Sequence, residues 1–189
     1  MSAVDNEADA GTDDQRSSNR WFWQWTTAAV VVGLVLRVAW VIWVHRQPQG
    51  LYDPARYFGY ADRIARGKGY IEGFTGQATS YYPPGYPWFL GLVNTVLRHT
   101  PLSDDLPLMA GLVQAAIGAA GVALGAFVAR RMVGPLAGII AAFGLALYPN
   151  LVFHTGVLLS ETLYNFLFMA FLVVLLARPW PDNGRVATT

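Results

Sequence analysis

Long apolar segments in the second half of the chain constrain its fold more than any other feature. Residues 106–129 and 135–153 contain no charged side chain, and residues 157–177 contain only Glu161. A helix of about 17–25 residues crosses the roughly 30 Å hydrocarbon core of a bilayer. Because backbone groups cannot stay unpaired in hydrocarbon, uncharged segments of this length predict membrane-spanning helices. The sequence therefore predicts an integral membrane protein.

A further apolar segment, residues 26–44, lies near the start of the chain. Its single charge, Arg37, must either snorkel to water or face a protein-lined cavity. Tryptophans in residues 21–25 predict an anchor at the membrane–water boundary. Residues 1–20 are acidic and polar, which predicts a disordered tail. The predicted fold is all-α, a polytopic membrane helix bundle with about four transmembrane helices.

Two helices are predicted in the polar loop, residues 45–105, that joins the first two spans. Residues 54–66 place apolar side chains at helical spacing, so they predict an amphipathic helix on the membrane surface that ends at Gly67-Lys68-Gly69. Residues 81–100 begin with three prolines, followed by only about ten apolar-dominated residues. This length favours a second surface helix or a partly re-entrant one.

The positions of the basic residues predict how the chain is oriented. With four spans, one side of the membrane receives most of the arginines next to the spans: Arg16, Arg20, Arg130, Arg131, Arg178 and Arg185. The positive-inside rule makes that side cytoplasmic. The N-terminus is then cytoplasmic and the 45–105 loop extracytoplasmic, although basic residues before Tyr70 oppose this. A fifth crossing over residues 84–98 would place Arg130 and Arg131 on the extracytoplasmic side. It is less favoured for this reason. The predicted membrane domain covers residues 21–178, and residues 179–189 form a cytoplasmic tail or a truncated linker.

Composition excludes several functional classes. Only 13% of residues are charged, against roughly 25% in soluble domains. The net charge of +1 provides no basic face for nucleic acid. The absence of cysteine excludes disulfides and thiol catalysis. No P-loop, dinucleotide-binding glycine motif, zinc-protease motif or nucleophile-elbow motif occurs in the sequence.

Two acidic residues are candidate catalytic groups at the predicted outer face. Asp53 heads the loop helix, and Glu161 lies near the outer end of the fourth span, just after His154 in a short turn. Acids at a membrane edge are functional candidates, and a pair can act as a general base and a partner or metal ligand. Each also has a structural interpretation, because Asp53-Pro54 is a usual helix start and Glu161 would favour a helix dipole.

Neighbouring side chains could bind a substrate at the same face. Tyr57 and Tyr82 belong to a group of loop tyrosines that are either interfacial or available to stack on sugars. Arg56 is either an ordinary surface charge or a phosphate ligand. His154 is the weakest candidate.

Several motifs, taken together over residues 26–178, resemble the N-terminal part of the GT-C membrane glycosyltransferases, which use polyprenyl-phosphate sugars. That superfamily includes the protein O-mannosyltransferases and the lipid A aminoarabinose transferases. The matching elements, in chain order, are Leu36-Arg37, Asp53-x-x-x-Tyr57-x-x-x-Ala61, Gly67-Lys68-Gly69-Tyr70, Tyr82-Pro83-Pro84-Gly85-Tyr86-Pro87, Arg130-Arg131, Leu147-Tyr148-Pro149 and Leu159-Ser160-Glu161.

The resemblance implies an inverting glycosyl transfer at the outer face of the plasma membrane. The donor would be a polyprenyl-phosphate sugar and the acceptor a hydroxyl of a lipid, glycan or protein. It implies Asp53 as catalytic base and Glu161 as second acid, with a divalent metal as an option. Pro54 stands where family members commonly have another acid. Tyr82 stands where some have a basic residue, so Arg56 would contact the phosphate instead.

Three alternatives remain open from the sequence. Complete members of the superfamily continue for several more spans, so the chain could be a non-catalytic lipid-binding or assembly subunit. It could equally be an inactive fragment of such an enzyme. A small transporter is a weaker option, because no internal repeat is visible.

Overall fold

The computed structural model describes residues 3–45, 52–72, 75–79, 81–100 and 105–177. Regular structure in these ranges is helical, apart from an isolated β-bridge between Ile71 and Ala78. The helices are α1 (Ala3–Val44), α2 (Tyr52–Ala65), α3 (Gly85–Leu97), α4 (Leu106–Met132), α5 (Pro135–Leu147), α6 (Pro149–Gly156) and α7 (Glu161–Ala177). The all-α prediction is confirmed for this part of the chain, and the predicted tail at 179–189 lies outside it.

Two helices are long and apolar enough to cross a membrane: α1 over Asn19–Val44, and α4. Helices α5 and α6 meet the same criterion together, but they are bent by 48° where they join. Helix α7 is apolar and has 17 residues, the lower end of the about 17–25 that span a bilayer. The structure thus supports a membrane protein with two spans, or three if the bent pair is one span. A fourth span stays a prediction.

Helix α1 begins at Ala3, which corrects the predicted disorder of residues 1–20 over its described part, residues 3–20. This segment contains a single glycine and no proline, so no residue breaks the backbone hydrogen bonding. An existing helix also adds each further residue without a new nucleation cost. The polar segment therefore continues the apolar helix that follows it.

Helices α1 and α4 run antiparallel. At one end, Arg130 donates a hydrogen bond to Asn19 over 2.8 Å, and its guanidinium lies 4.2 Å from the ring centroid of Phe22. At the other end, His45 lies 3.6 Å from Asp105. The start of α1 and the arginine-rich end of α4 therefore lie on the same side of the bundle, as the predicted orientation requires. The loop helices lie at the opposite end.

Arg37 explains how the bundle tolerates the break between α5 and α6. Pro149 has no N–H, so the carbonyl of Leu145 loses its normal helical donor four residues on. Arg37 replaces it, donating from Nη2 to Leu145 over 3.0 Å and from Nη1 to Ala146 over 3.2 Å. Its side chain is 1% exposed, so it faces protein and does not snorkel. The span predicted over residues 135–153 is therefore not one straight helix but two, joined at Tyr148, and the pair remains a candidate span.

Two pairs of glycines spaced four residues apart, Gly121 with Gly125 and Gly134 with Gly138, predict close helix packing, and close contacts occur at two of these four glycines. A Cβ on Gly138 would lie 2.8 Å from the Ala126 carbonyl oxygen, and one on Gly125 would lie 2.3 Å from the Leu145 side chain. By contrast, a Cβ on Gly121 or Gly134 would meet nothing within 4 Å. The predicted close packing is confirmed at Gly125 and Gly138.

Gly138→Ala should lower the free energy of unfolding by about 1–3 kcal/mol, because the new methyl group meets the backbone of α4. Gly144→Ala on the same helix is the matched control, since a Cβ there meets nothing within 4 Å. It should raise the free energy of unfolding by about 0.5–1 kcal/mol through helix propensity. Denaturant unfolding of both variants in the same micelles checks this, and equal stabilities would contradict it.

Candidate functional site

Helix α2 places Asp53 and Tyr57 at the loop end of the bundle. Its buried residues, Pro54, Tyr57, Tyr60 and Ala61, follow helical spacing. The helix ends as predicted: Gly67 adopts φ 73°, and its N–H donates to Ile64 over 2.9 Å, a left-handed cap that glycine provides without strain. Asp53 is exposed in the first turn, one residue inside the helix start at Tyr52 and not at the cap position.

Helix α3 covers the apolar face of α2. A Cβ on Gly91 would lie 2.7 Å from the Ile64 side chain, so glycine permits this close approach. Helix α3 has 13 residues and is not among the helices that could cross a membrane. The prediction of a short non-spanning helix in residues 81–100 is thus confirmed.

The turn between α6 and α7 brings Glu161 to the same place. Leu158 in this turn has φ 56° and is fully buried. It packs in one apolar cluster with Tyr57, Tyr86 and Leu90. A buried leucine in this conformation costs of order 1–3 kcal/mol and persists only where surrounding packing imposes it. The cluster therefore fixes the start of α7, where Ser160 and Glu161 lie, against α2 and α3.

The Asp53 carboxylate is bound by Tyr82. The Tyr82 hydroxyl donates to Asp53 Oδ1 over 2.7 Å. This hydrogen bond is the main cause that raises the pKa of Tyr82 to about 12. The Asp53 carboxylate therefore makes the Tyr82 hydroxyl harder to deprotonate than that of an ordinary tyrosine.

Tyr57 lies near enough to both acids, Asp53 and Glu161, to be affected by their charges. Its hydroxyl lies within hydrogen-bonding reach of Ser160, and both Asp53 and Glu161 act on it electrostatically. Burial is the main cause that raises the pKa of Tyr57. Its ring contacts Tyr82 edge to face at 5.4 Å between centroids. The structure thus groups Asp53, Tyr82, Tyr57 and Glu161 in one cluster: Tyr82 contacts both Asp53 and Tyr57, and Glu161 lies near enough to Tyr57 to act on it electrostatically.

Glu161 has an unused acceptor. Its Oε2 atom is buried and has no hydrogen-bond partner within the described ranges. Buried polar atoms are nearly always paired, so this oxygen is available to a bound hydroxyl. Below it, the hydroxyl of Tyr86 donates to Gln114 over 3.0 Å, and Gln114 donates to the Thr155 carbonyl over 2.9 Å. Sequence analysis named Tyr86 and Ser160 only as members of motifs and did not identify Gln114, because this residue carries no local signal that distinguishes it from a core residue.

Arg56 lies close to the cluster but is held by another acid. Its Nη1 donates to Glu72 Oε1 over 2.8 Å, and the Tyr60 hydroxyl donates to Glu72 Oε2 over 2.8 Å. Arg56 is near enough to Tyr82 to act on it electrostatically. Its guanidinium is therefore partly neutralised by Glu72, which weakens its predicted role as a phosphate ligand.

His154 does not lie in a turn, as predicted, but in α6. Its Nδ1 is buried without a hydrogen-bond partner, and its ring contacts that of Phe153 at 5.6 Å. Among the described residues, no hydrogen bond or ring contact joins it to Asp53 or Glu161. The break at Pro149 begins a new helix here and so displaces the predicted turn to residues 157–160.

In the described ranges, no three His, Asp or Glu side chains lie close enough together to hold a metal ion. The two acids of the cluster could supply one or two carboxylates, which is the number that Mg²⁺ commonly takes from a protein. A divalent metal at this site stays a prediction.

Replacing Asp53 with Asn should return the pKa of Tyr82 towards its ordinary 10.0, because the negative acceptor is lost. A raised pKa of a tyrosine stabilises the folded protein below pH 10, and this contribution disappears as the pH rises to about 12. Ultraviolet titration of tyrosinate in wild type and Asp53→Asn measures the shift, with Tyr82→Phe identifying the signal of this residue. An unchanged titration curve in Asp53→Asn would contradict the bond.

The arrangement is a pair of carboxylates with two tyrosine hydroxyls, at one end of an all-helical bundle that includes membrane-spanning helices. The resemblance to GT-C glycosyltransferases rests on the motifs of the sequence. No protein-family model, curated protein or solved structure matches the chain.

Proposed function

We propose that the chain is a GT-C-type inverting glycosyltransferase at the outer face of the plasma membrane. It moves a sugar from a polyprenyl-phosphate donor to a hydroxyl of a lipid, glycan or protein. The observation that most supports the proposal is the hydrogen bond from Tyr82 to Asp53 beside Tyr57, a residue on which both Asp53 and Glu161 act electrostatically. These two acids come from distant parts of the chain, and both belong to the motifs that carry the resemblance.

Asp53 acts as the general base. It takes the proton of the acceptor hydroxyl while the acceptor oxygen bonds to the anomeric carbon of the sugar. The bond from that carbon to the phosphate oxygen breaks, its electron pair leaves with polyprenyl phosphate, and the configuration inverts. Because phosphate is a good leaving group, orientation and deprotonation of the acceptor dominate catalysis. Tyr82 binds Oδ1 of Asp53, and among the described residues none hydrogen-bonds to Oδ2, which is left for the acceptor.

Glu161 positions the acceptor. Its buried Oε2 has no partner in the described part of the chain and accepts a hydrogen bond from an acceptor or sugar hydroxyl. Tyr82 and the hydroxyl of Tyr57 are the other polar groups of the cluster that would contact the substrate. Tyrosine rings are suited to stacking on sugars. Arg56 contributes positive charge beside Tyr82, with its hydrogen bonds directed to Glu72.

The test is an assay of the purified chain in lipid with a panel of polyprenyl-phosphate sugars. Both donor binding and release of polyprenyl phosphate are measured, in wild type and in Asp53→Asn. Turnover that is lost in the variant, with donor binding retained, supports the transferase. Full turnover in Asp53→Asn would refute the role of Asp53. Donor binding without turnover in either protein would instead favour the lipid-binding or assembly subunit, or an inactive fragment.

A further inference from the structure

A second candidate site lies between the helices; neither Asp53 nor Glu161 lines it, whereas Thr162, the residue after Glu161, does. A cavity of about 250 Å³ is bounded by α1, α4, α5, α6 and α7. Its wall is mostly apolar, with side chains such as Ile117, Phe166 and Met169. The polar side chains that line it are Arg37, Tyr148, Thr162 and Asn165.

The charge of Arg37 has no counter-ion in the described part of the chain. Its side chain is 1% exposed, and no described Asp or Glu forms an ion pair with it. Arginine stays protonated in proteins, so burial cannot neutralise it. The desolvation cost of such a charge is several kcal/mol unless an anion compensates it. Arg37 thus carries a positive charge into the bundle that the three carbonyl contacts only partly compensate.

Hydrogen-bond donors also remain unused at this cavity. A guanidinium has five N–H donors, and those of Arg37 make three hydrogen bonds, to Gly33, Leu145 and Ala146. Among the described residues, neither the buried Nε–H nor the buried hydroxyl of Thr162 has a hydrogen-bond partner. Gly118 leaves room beside this nitrogen, since a Cβ there would lie 2.8 Å from Nε. Two buried polar groups without a described partner, on residues that line one cavity, are unusual and make this cavity a candidate ligand site.

We infer that this cavity binds the oxyanion head of a lipid, either an acyl carboxylate or a lipid phosphate. The paired oxygens of such a head match the free donors of a guanidinium, and Thr162 donates to the same head. The hydrocarbon chain lies against the apolar wall. A water molecule could satisfy the donors but would leave the charge of Arg37 uncompensated. The inference does not rest on the proposed transfer reaction, because neither Asp53 nor Glu161 lines the cavity.

The test is equilibrium binding to the purified full chain in neutral maltoside micelles. The probes are labelled oleate and dioleoyl phosphatidate, with methyl oleate as the neutral analogue and inorganic phosphate as the free oxyanion. Gly121→Leu fills the cavity, because Gly121 lines it and a Cβ there meets nothing within 4 Å. Gly144→Leu is the matched control, a helical glycine with equally open space that does not line the cavity.

Wild type should bind at least one charged lipid about tenfold or more tightly than methyl oleate, a difference of about 1.4 kcal/mol. Gly121→Leu should weaken this binding by about tenfold or more, whereas Gly144→Leu and Asp53→Asn should leave it unchanged. Equal binding of methyl oleate would overturn the role of the charge. Undiminished binding in Gly121→Leu would overturn the location, and its loss in Asp53→Asn would place the anion at the loop end instead. Displacement by inorganic phosphate would assign the site to a free oxyanion and overturn the lipid.

Discussion

Asp53→Asn should reduce the rate of polyprenyl-phosphate release by about 10²–10⁴-fold, the usual contribution of a general base. The amide keeps the shape of the carboxylate, and its oxygen can still accept the hydrogen bond from Tyr82. It cannot take the proton of an acceptor hydroxyl. The measurement is the initial rate at saturating donor and acceptor, with donor binding determined separately.

Asp62→Asn is the matched control for this experiment. Asp62 belongs to the same helix, α2, and pairs with Arg66 over 2.8 Å on the exposed side. Exposed pairs of this kind contribute about 0.3–0.5 kcal/mol, so the fold should be retained. Turnover should be unchanged in Asp62→Asn. A comparable loss in both variants would show that negative charge on α2, and not a base at Asp53, supports turnover.

Arg37→Met should lower the free energy of unfolding by roughly 2–4 kcal/mol. The variant leaves the carbonyls of Leu145 and Ala146 without the guanidinium, and an unpaired buried carbonyl costs about 1–3 kcal/mol. Removal of a buried charge offsets part of this cost. Arg66→Met, which loses only the exposed pair with Asp62, should change stability by about 0.5 kcal/mol or less. Denaturant unfolding in a common micelle compares the two.

A second substitution tests the physical cause. Pro149→Ala restores an N–H four residues after Leu145, so the carbonyl regains a helical donor. In the Arg37→Met background, Pro149→Ala should raise the free energy of unfolding by about 1–3 kcal/mol. In wild type the gain should be smaller, because Arg37 already donates to the carbonyl of Leu145. Additive effects of the two substitutions would mean that Arg37 does not substitute for the N–H that Pro149 lacks.

Local patterns determined much of the helical structure. The absence of charge over residues 106–129 predicted α4, and the helical spacing over residues 54–66 predicted α2 within a residue or two. Gly67 marked the end of α2. Signals of this kind depend on neighbours within a few residues, so they can be identified without knowledge of the fold. The same reasoning selected Asp53 and Glu161 as acids at one face of the bundle.

Only the tertiary structure decided how distant groups are paired. Glu72 binds Arg56, Tyr82 binds Asp53, and Arg37 compensates the break at Pro149. The position of His154 in α6 likewise follows from that break. Each pairing joins residues whose separation in sequence carries no periodic signal, and each depends on how whole helices pack. The sequence therefore specified which acids and most of the helices are present. Packing of the helices selected the partner of each buried polar group, because a buried polar group without a partner is costly.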